Sequence, residues 1–267
     1  MSQGFAELLM YVAPPRVCEA SEAWLQRTLQ HLGASRLDAG ALDLPGLWLS
    51  PQLLFTQTCG YPLMTLLRGK VRVIGRPVYQ LPHASAGTHC SLLLVRADDP
   101  RRELAAFFDS HGLINSEDSN SGMNLLRKRI APLQRGGRFF SAITFTGGHR
   151  DSLRALREGR GDLAAIDSVT YDYLARDHSD EVAGLRILAV SASSPSLPFI
   201  GPAHLDDSAA ARVREALNRA LEDLPEVAAT LAIREVLPAS EADYQVLLDY
   251  RDAAARLGLA RIHPEDG

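Results

Sequence analysis

The chain has 267 residues, of which 46% are hydrophobic and 22% charged, and its formal net charge is −4. This composition is typical of a globular protein with one large domain or two lobes, and it argues against a nucleic-acid-binding protein, which would carry a basic patch. The three cysteines, Cys18, Cys59 and Cys90, form no CxxC pair and show no metal-ligand spacing. The sequence therefore indicates neither a metal site nor a cofactor.

The first fifteen residues lack the features of a signal peptide. Residues 1–15 show no basic start, no sustained apolar segment and no small-residue cleavage site. The apolar run 8–12 is too short to cross a membrane and is typical of a buried strand. We therefore expect no leader in these residues and no membrane insertion.

Strand-like and helix-like segments alternate along the chain. Short apolar runs predict strands at 5–13, 47–49, 53–58, 71–79, 91–95, 113–114, 139–145, 163–166 and 185–190. Helical spacing predicts helices at 21–32, 63–67, 104–111, 168–175, 208–224 and 241–257, with two more ending at Pro132 and at Gly159 or Gly161. Residues 191–202 are expected to form a loop and residues 226–233 a short turn.

The alternation predicts an α/β fold with mostly parallel sheets. We expect two lobes, the first formed by residues 1–95 and 190–267 and the second, 96–189, inserted into it, with a cleft between them. Ligand sites in open α/β sheets lie at the carboxyl ends of strands. This rule places the ligand-binding loops at 13–18, 57–62, 116–124, 146–151 and 167–168.

The most informative of these loops is the polar stretch 115–126. Ser119, Ser121 and Gly122 precede an apolar-periodic segment, a pattern typical of a helix N-terminus. Such a terminus presents unpaired backbone N–H groups and the positive end of a dipole, so it suits an oxyanion such as phosphate. On this motif alone, an ordinary capped surface helix is the alternative.

Other loops supply further polar groups. The turn 146–149 contains two glycines, which let backbone approach a ligand closely, and ends at His149, which can donate to an oxyanion or cap a helix. Asp167, at a strand-to-helix corner, either caps the helix or contacts a ligand. Thr58 and Tyr61 lie at a polar strand end, where the tyrosine hydroxyl either reaches a ligand or packs.

Cys59 and His149 are the one pair that we weigh as a catalytic nucleophile and base. A buried free thiol is the commoner role of a lone cysteine. The chain contains neither a Walker-type GxxxxGK[ST] motif nor a GxGxxG motif, so the sequence does not support nucleotide binding.

Three short motifs follow one another along the chain. They are Ser119-Asn120-Ser121-Gly122, then Thr146-Gly147-Gly148-His149-Arg150-Asp151, then Gly161-Asp162-Leu163-Ala164-Ala165-Ile166-Asp167-Ser168. In this order they resemble the phosphonate-binding-protein group, the substrate-binding components of phosphate, phosphite and phosphonate ABC transporters. That group shows Ser-x-Ser-Gly, then Gly-Ser-His-Asp, then Gly-x-x-Asp-x-x-x-Asp. The segment 57–62 resembles the first-lobe loop of a subgroup, so the resemblance covers nearly the whole chain.

The resemblance implies an α/β, two-lobed, type II periplasmic-binding-protein-like fold with a hinged cleft that closes on an anion. By position, Ser119, Ser121 and Gly122, with the N–H groups of Met123 and Asn124, would hold the oxyanion. The implied partners are a small anionic ligand and an ABC permease, with no nucleic acid and no cofactor.

The resemblance also implies ligand contacts outside this turn. His149 would add a donor, Thr58 and Tyr61 would come from the facing lobe, and Asp167 would meet an amino group of the ligand. The chain departs from the pattern at Gly148, where the group has Ser, and at Arg150, where it has Asp. The missing signal-peptide features leave the compartment open between periplasm and cytoplasm.

Three functional hypotheses follow. The first is a solute-binding protein for a small oxyanion or phosphonate-like ligand, which feeds an ABC transporter. The second is a sensor that uses lobe closure to signal to a protein partner. The third is an enzyme on the same fold that uses Cys59 as nucleophile, similar to thiamine-degrading relatives of binding proteins.

Overall fold

The computed structural model of the protein describes residues 2–262. Met1 and residues 263–267, which the predicted first lobe includes, lie outside the described residues. No helix between residues 2 and 262 is long and apolar enough to span a membrane.

Strands and helices alternate along the chain and are numbered in chain order. The strands are β1 Ser2–Glu7, β2 Ala34–Arg36, β3 Leu53–Gln57, β4 Val71–Tyr79, β5 Thr88–His89, β6 Ser91–Arg96, β7 His111–Ile114, β8 Ala142–Phe145, β9 Leu163–Asp167, β10 Leu185–Val190, β11 Ser194–Pro195, β12 Phe199–Pro202 and β13 Ile233–Leu237. The α-helices are α1 Pro15–Leu32, α2 Leu44–Trp48, α3 Gly60–Thr65, α4 Leu125–Ile130, α5 His149–Arg157, α6 Ser168–Asp177, α7 Asp207–Asp223, α8 Pro225–Leu231 and α9 Gln245–Arg256. A π-helical turn spans Asn120–Asn124, and short 3-10 helices lie at Leu104–Phe107, Ala131–Leu133, Ser179–Glu181 and Glu241–Tyr244.

The chain forms two compact units, each made of separate stretches. The first unit comprises the chain up to Thr88 together with Pro195–Gln245, and the second comprises His89–Ser194 together with the chain from Val246 onward. These limits differ from the predicted lobes because β6 and nearly all of α9 belong to the second unit.

The first unit is built on a six-stranded sheet in the order β13-β4-β12-β3-β1-β2. β1 runs parallel to β2 and β3, whereas β12 runs antiparallel to β3 and β4. Trp24 of α1 packs edge-to-face on Phe199 of β12, with ring centroids 5.5 Å apart, and its indole N–H donates to Leu217 O of α7 at 2.9 Å. α1 and α7 therefore pack together over this sheet.

The second unit is built on a five-stranded sheet in the order β10-β6-β9-β7-β8. β6 runs antiparallel to β9 and β10, whereas β7 runs parallel to β8 and β9. Because β6 is covered on both faces, all its residues except the last are buried. The α/β class is therefore as expected, but the expectation of mostly parallel sheets is wrong, since both sheets are mixed.

The predicted strand at residues 47–49 is wrong, because these residues end helix α2. Asp43 caps the helix by accepting the N–H of Gly46 at 2.8 Å, and Pro45 suits the first turn. Two other predicted elements are shorter than expected. β1 ends at Glu7 rather than at residue 13, and the predicted helix at 104–111 is a 3-10 helix that ends at Phe107.

The predicted loop 191–202 contains a central strand of the first sheet, β12. Its Ile200 lies opposite both Thr56 of β3 and Val73 of β4. The three prolines of this segment led to the loop prediction, since proline lacks a backbone N–H donor and is rare in central strands. The short turn predicted at 226–233 is helix α8 followed by the start of β13, a strand that pairs with β4.

A buried carboxylate stabilises the loop after β6. Arg101 contacts Asp99 at 2.6 Å and Asp162 at 2.8 Å. The side-chain hydrogen bond from Arg101 lowers the pKa of Asp99 to about 2, against the opposing effect of burial. A carboxyl whose pKa is lower in the folded than in the unfolded chain stabilises the fold above its unfolded pKa of about 3.9. This stabilisation is lost as the pH falls through the folded value.

We expect Asp99→Asn to lower the free energy of unfolding at pH 7 by about 2 kcal/mol. Between about pH 4 and pH 2, the free energy of unfolding of the variant should fall less than that of wild type. Urea denaturation at several pH values measures both effects. Asp98→Asn is the matched control, because the Asp98 side chain is 86% exposed and lies 3.8 Å from Arg96. Equal stability of Asp99→Asn and wild type at pH 7 would contradict the prediction.

Candidate functional site

The turn Asn120–Asn124 is a π-helical turn capped by Ser119. Ser119 Oγ accepts the N–H of Gly122 at 3.0 Å, and the Ser119 carbonyl accepts the N–H of Asn124 at 3.0 Å. The i to i+5 spacing of the second bond widens this turn relative to an α-helix, and α4 continues it without a break. The predicted helix N-terminus is confirmed, with a π-turn in place of a regular first turn.

The capping bonds decide which backbone donors the turn can offer. The N–H groups of Gly122 and Asn124 donate within the turn. The first N–H groups of a helix have no partner inside it, and in this turn those of Asn120, Ser121 and Met123 are the ones that neither capping bond uses. Ser121 and Met123 are both buried.

Two asparagine side chains hold the turn in place. Asn120 Nδ2 donates to Ser194 Oγ at 2.8 Å, and Asn124 Nδ2 donates to the carbonyl of Leu247 at 3.0 Å. Asn124 Oδ1 accepts from Arg127 Nη2 at 3.0 Å. Both Nδ2 and Oδ1 of the Asn124 side chain are thus bonded to the protein.

Gly122 lies against the side chain of Asn115. A Cβ atom added at Gly122 would stand 1.7 Å from Asn115 Oδ1 and 3.2 Å from Ser119 Oγ. This approach requires glycine, since any other residue overlaps the amide. Asn115 Oδ1 is buried and has no hydrogen-bond partner among the described residues.

The loops that follow β7 and β8 lie side by side. The Thr146 N–H donates to the Ile114 carbonyl at 2.8 Å, and the Gly147 N–H donates to the Asn115 carbonyl at 2.9 Å. The next turn, at Gly147 with φ 90°, leads into helix α5, whose first residue is His149. The parallel pairing of the two strands therefore brings His149 beside the turn.

Ser121 and His149 are in contact. Ser121 Oγ lies 3.1 Å from His149 Nε2. Burial of the imidazole lowers the pKa of His149, although the charge of Asp167 opposes this shift. A histidine with a lowered pKa is neutral near pH 7, so the ring has one N–H donor and one acceptor nitrogen.

Ser91 connects the turn to the centre of the sheet. Ser91 Oγ donates to the carbonyl of Ser121 at 2.7 Å, and its backbone stands opposite Asp167 in the β6–β9 pair. Because this carbonyl is engaged by Ser91 and the N–H of Gly122 by Ser119, the peptide between Ser121 and Gly122 is fixed in orientation. Ser91 is fully buried.

Asp167 is engaged at both carboxylate oxygens. Oδ1 accepts the N–H groups of Val169 at 2.9 Å and Thr170 at 3.1 Å, which caps α6. Oδ2 lies 2.8 Å from His89 Nδ1. Burial alone would raise the pKa of Asp167, but the charge and hydrogen bond of His89 outweigh it and lower the pKa. The carboxylate is therefore ionised, and the capping role weighed from the sequence is present.

Thr58 and Tyr61 lie in the first unit, where β3 leads into α3. Thr58 is fully buried, and its N–H donates to the Pro198 carbonyl at 3.1 Å. Tyr61 is 8% exposed. Cys59, between them, is partly buried, is not in a disulfide and makes no side-chain cap of α3. A ligand-binding role for Thr58 and Tyr61 stays a prediction.

A protein-family model matches most of the chain. The family model described as "ABC transporter, phosphonate, periplasmic substrate-binding protein" matches residues 51–244.

The chain belongs to this family. The resemblance stated from the three motifs is thereby confirmed, and the chain is a solute-binding protein of the phosphonate transporter family. A comparison with curated protein sequences gives no match.

Solved structures of such binding proteins share the fold. A binding-protein component of an ABC phosphonate transporter from Pseudomonas aeruginosa superposes with a TM-score of 0.71 at 14% identity, covering 96% of this chain and 87% of that one. PhnD1 from Prochlorococcus marinus, in complex with methylphosphonate, gives 0.71 at 10% identity, with coverage of 96% and 99%. A Xanthomonas citri protein bound to chloride ion gives 0.71 at 14% identity, with coverage of 96% and 99%. The expected α/β, two-lobed periplasmic-binding-protein fold is thereby confirmed.

Sequence reasoning missed three residues of this family member's candidate site: His89, Ser91 and Asn115. Ser91 is the first residue of the apolar strand β6, and His89 ends β5 two residues before it; antiparallel pairing of β6 with β9 brings both residues to Asp167. A rule that looks for ligands at the carboxyl ends of parallel strands does not consider residues before the start of an antiparallel one. Asn115 was part of the stretch singled out, but its approach to Gly122 has no signal in the sequence.

Proposed function

We propose that the protein binds a small oxyanion of the phosphonate class at the turn Asn120–Asn124 of its second unit. The observation that carries this proposal is the contact of 3.1 Å between Ser121 Oγ and His149 Nε2, beside a turn with backbone donors. A hydroxyl and an imidazole that meet in this way can each turn a donor toward the same oxygen atom. Membership of the phosphonate family supports the ligand class.

The donors proposed for the oxyanion are the N–H groups of Ser121 and Met123, the Ser121 hydroxyl and the His149 ring. The π-turn and α4 form one continuous helix from Asn120 to Ile130, so these N–H groups also lie at the positive end of a helix dipole. This set differs from the one implied by resemblance, because the N–H groups of Gly122 and Asn124 bond within the turn.

We expect Ser121→Ala to weaken methylphosphonate binding about 10- to 100-fold, since a hydrogen bond to a charged group contributes about 1.5–3 kcal/mol. Isothermal titration calorimetry measures the dissociation constants. Ser116→Ala is the matched control, because the Ser116 hydroxyl bonds to Asp118 at an exposed part of the same loop. No heat with phosphate, phosphite or methylphosphonate and the wild-type protein would overturn the proposed function. Equal affinity of Ser121→Ala and wild type for methylphosphonate would show that the Ser121 hydroxyl does not bind the ligand.

We further propose that binding involves no chemistry on the ligand. The phosphorus NMR spectrum of the ligand recovered from the titration should be that of the ligand supplied. The family implies a permease as partner, and we propose delivery to an ABC permease rather than signalling to another protein.

A further inference from the structure

His89 is a buried histidine of which one ring nitrogen has no hydrogen-bond partner among the described residues. The side chain is 2% exposed, and Nδ1 lies 2.8 Å from Asp167 Oδ2. Nε2 is buried and has no hydrogen-bond partner among the described residues. A buried polar atom without a partner is costly, so native proteins satisfy such atoms with water or a ligand.

His89 belongs to the cluster that surrounds the proposed anion site. Its side chain contacts Asp167, whose backbone stands opposite Ser91 in the β6–β9 pair. Ser91, two residues after His89, donates to the carbonyl of Ser121. His89 is therefore connected through Asp167 and Ser91 to the turn that we propose holds the ligand.

The pairing with Asp167 determines what Nε2 can do. Asp167 is an ionised acceptor, so His89 donates its Nδ1–H to it. If the ring is neutral, Nε2 then carries a lone pair, which repels an oxyanion. If the ring is protonated, Nε2–H is a charge-assisted donor to the same oxyanion.

Negative charges predominate around His89 once an anion is bound. Asp167 at the start of α6 supplies a negative charge, and Asp172 lies further along α6. His149 on α5 is neutral, and burial raises the pKa values of Cys90 and Tyr173, so these groups carry no charge near pH 7. A bound oxyanion adds a second negative charge beside the ring.

The same pairing removes Asp167 as a partner for a ligand amine. Both of its oxygens are engaged, by two backbone N–H groups and by His89, and the residue is 3% exposed. An ammonium group near the site would face His89 in its cationic form rather than a free carboxylate. This differs from the amine-binding role that the resemblance implied for Asp167.

We propose that His89 is a ligand-binding residue held in place by Asp167, and that the site takes an oxyanion lacking a cationic amino group together with one proton on His89. This inference rests on the proposed function and names the class of ligand. It assigns Asp167 a positioning role.

The test is calorimetry of methylphosphonate and 2-aminoethylphosphonate binding between about pH 6 and pH 8, in pairs of buffers that differ in ionisation enthalpy. The wild-type protein should bind methylphosphonate at least about 10-fold more tightly than 2-aminoethylphosphonate. The buffer dependence of the heat gives the number of protons taken up on binding. Proton uptake by the ligand itself is the same for every variant, so differences between variants report on the protein.

His89→Gln provides the comparison, because a glutamine amide can donate to the ligand without taking up a proton. This variant should bind methylphosphonate a few-fold more weakly and take up about one proton fewer than wild type near pH 7. His111→Gln is the matched control, since His111 is a partly exposed histidine of the same unit that bonds to Thr144 Oγ1. It should match wild type in affinity and proton uptake.

The outcomes separate this inference from the proposed function. Equal proton uptake by wild type and His89→Gln overturns the inference and leaves oxyanion binding standing. Wild type could instead bind 2-aminoethylphosphonate more tightly than methylphosphonate, with only this preference lost in Asp167→Asn. That result would also overturn the inference and would show that Asp167 binds the ligand amine. No binding of either phosphonate by wild type overturns the proposed function and the inference together.

Discussion

Gly122→Ala should abolish measurable phosphonate binding and lower the thermal stability of the protein. The added Cβ would stand 1.7 Å from Asn115 Oδ1 and 2.7 Å from Asn115 Cγ, so the Asn115 side chain or the turn must move. Overpacking of this kind costs about 1–3 kcal/mol or more in a well-packed interior. We expect the turn to open, which moves the N–H groups of Ser121 and Met123 away from a common ligand oxygen.

Calorimetry with methylphosphonate and a thermal melt measure both effects. Gly148→Ala is a matched control from the neighbouring loop, because its Cβ would meet only Asp151 Oδ2, at 3.5 Å, and its φ of −164° suits any residue. The control should bind methylphosphonate with an affinity close to that of wild type. Wild-type affinity of Gly122→Ala would mean that the close approach to Asn115 is not needed for binding.

Arg127→Leu should lower the free energy of unfolding by about 2–4 kcal/mol, because it leaves buried acceptors without donors. Arg127 is 5% exposed; Nη1 donates to the carbonyl of Ala260 at 2.7 Å and Nη2 to Asn124 Oδ1 at 3.0 Å. Leucine fills part of the volume but donates to neither. Because Asn124 also holds the turn, binding of methylphosphonate should weaken as well.

Urea denaturation compares Arg127→Leu with Arg129→Leu, which changes an exposed arginine of the same helix. The control should stay within about 0.5 kcal/mol of wild type. Equal destabilisation by the two substitutions would show that the loss comes from helix α4 itself rather than from the bonds of Arg127.

The sequence was most informative where function depends on a few consecutive residues. Ser119 and Ser121 mark a capped turn because capping is a local interaction between neighbours in the chain. The three ordered motifs identified the family for the same reason. Each motif is complete within a single loop, so no knowledge of the sheet was needed to find it.

The sequence was least informative where function depends on pairing between distant strands. His89 reaches Asp167 across 78 residues, and only the antiparallel register of β6 with β9 brings the two together. Pairing direction is not encoded in the pattern of a fully apolar strand, which looks the same in either direction. β12 has no strand signal in the sequence for a different reason, since three prolines lie in the segment 191–202 that contains it.

Asn124 shows a different limit. Its place in the anion motif predicts a ligand contact through its backbone N–H, yet that N–H donates to the carbonyl of Ser119. Its side chain bonds to Asn120, to Arg127 and to the carbonyl of Leu247, which is 123 residues away. A motif conveys which residues are adjacent in the chain. It does not convey which of their donors the rest of the fold has already engaged.

The membership of α9 in the second unit has a consequence for synthesis of the chain on the ribosome. The carbonyls of Leu247 and Ala260, which accept from Asn124 and Arg127, are translated 123 and 133 residues after these partners. Domains generally fold as units during synthesis, N-terminal first. Here the second unit receives the partners of its proposed ligand-binding turn only after residues 246–260 have emerged, so a chain that stops near Gln245 would have an unsupported turn.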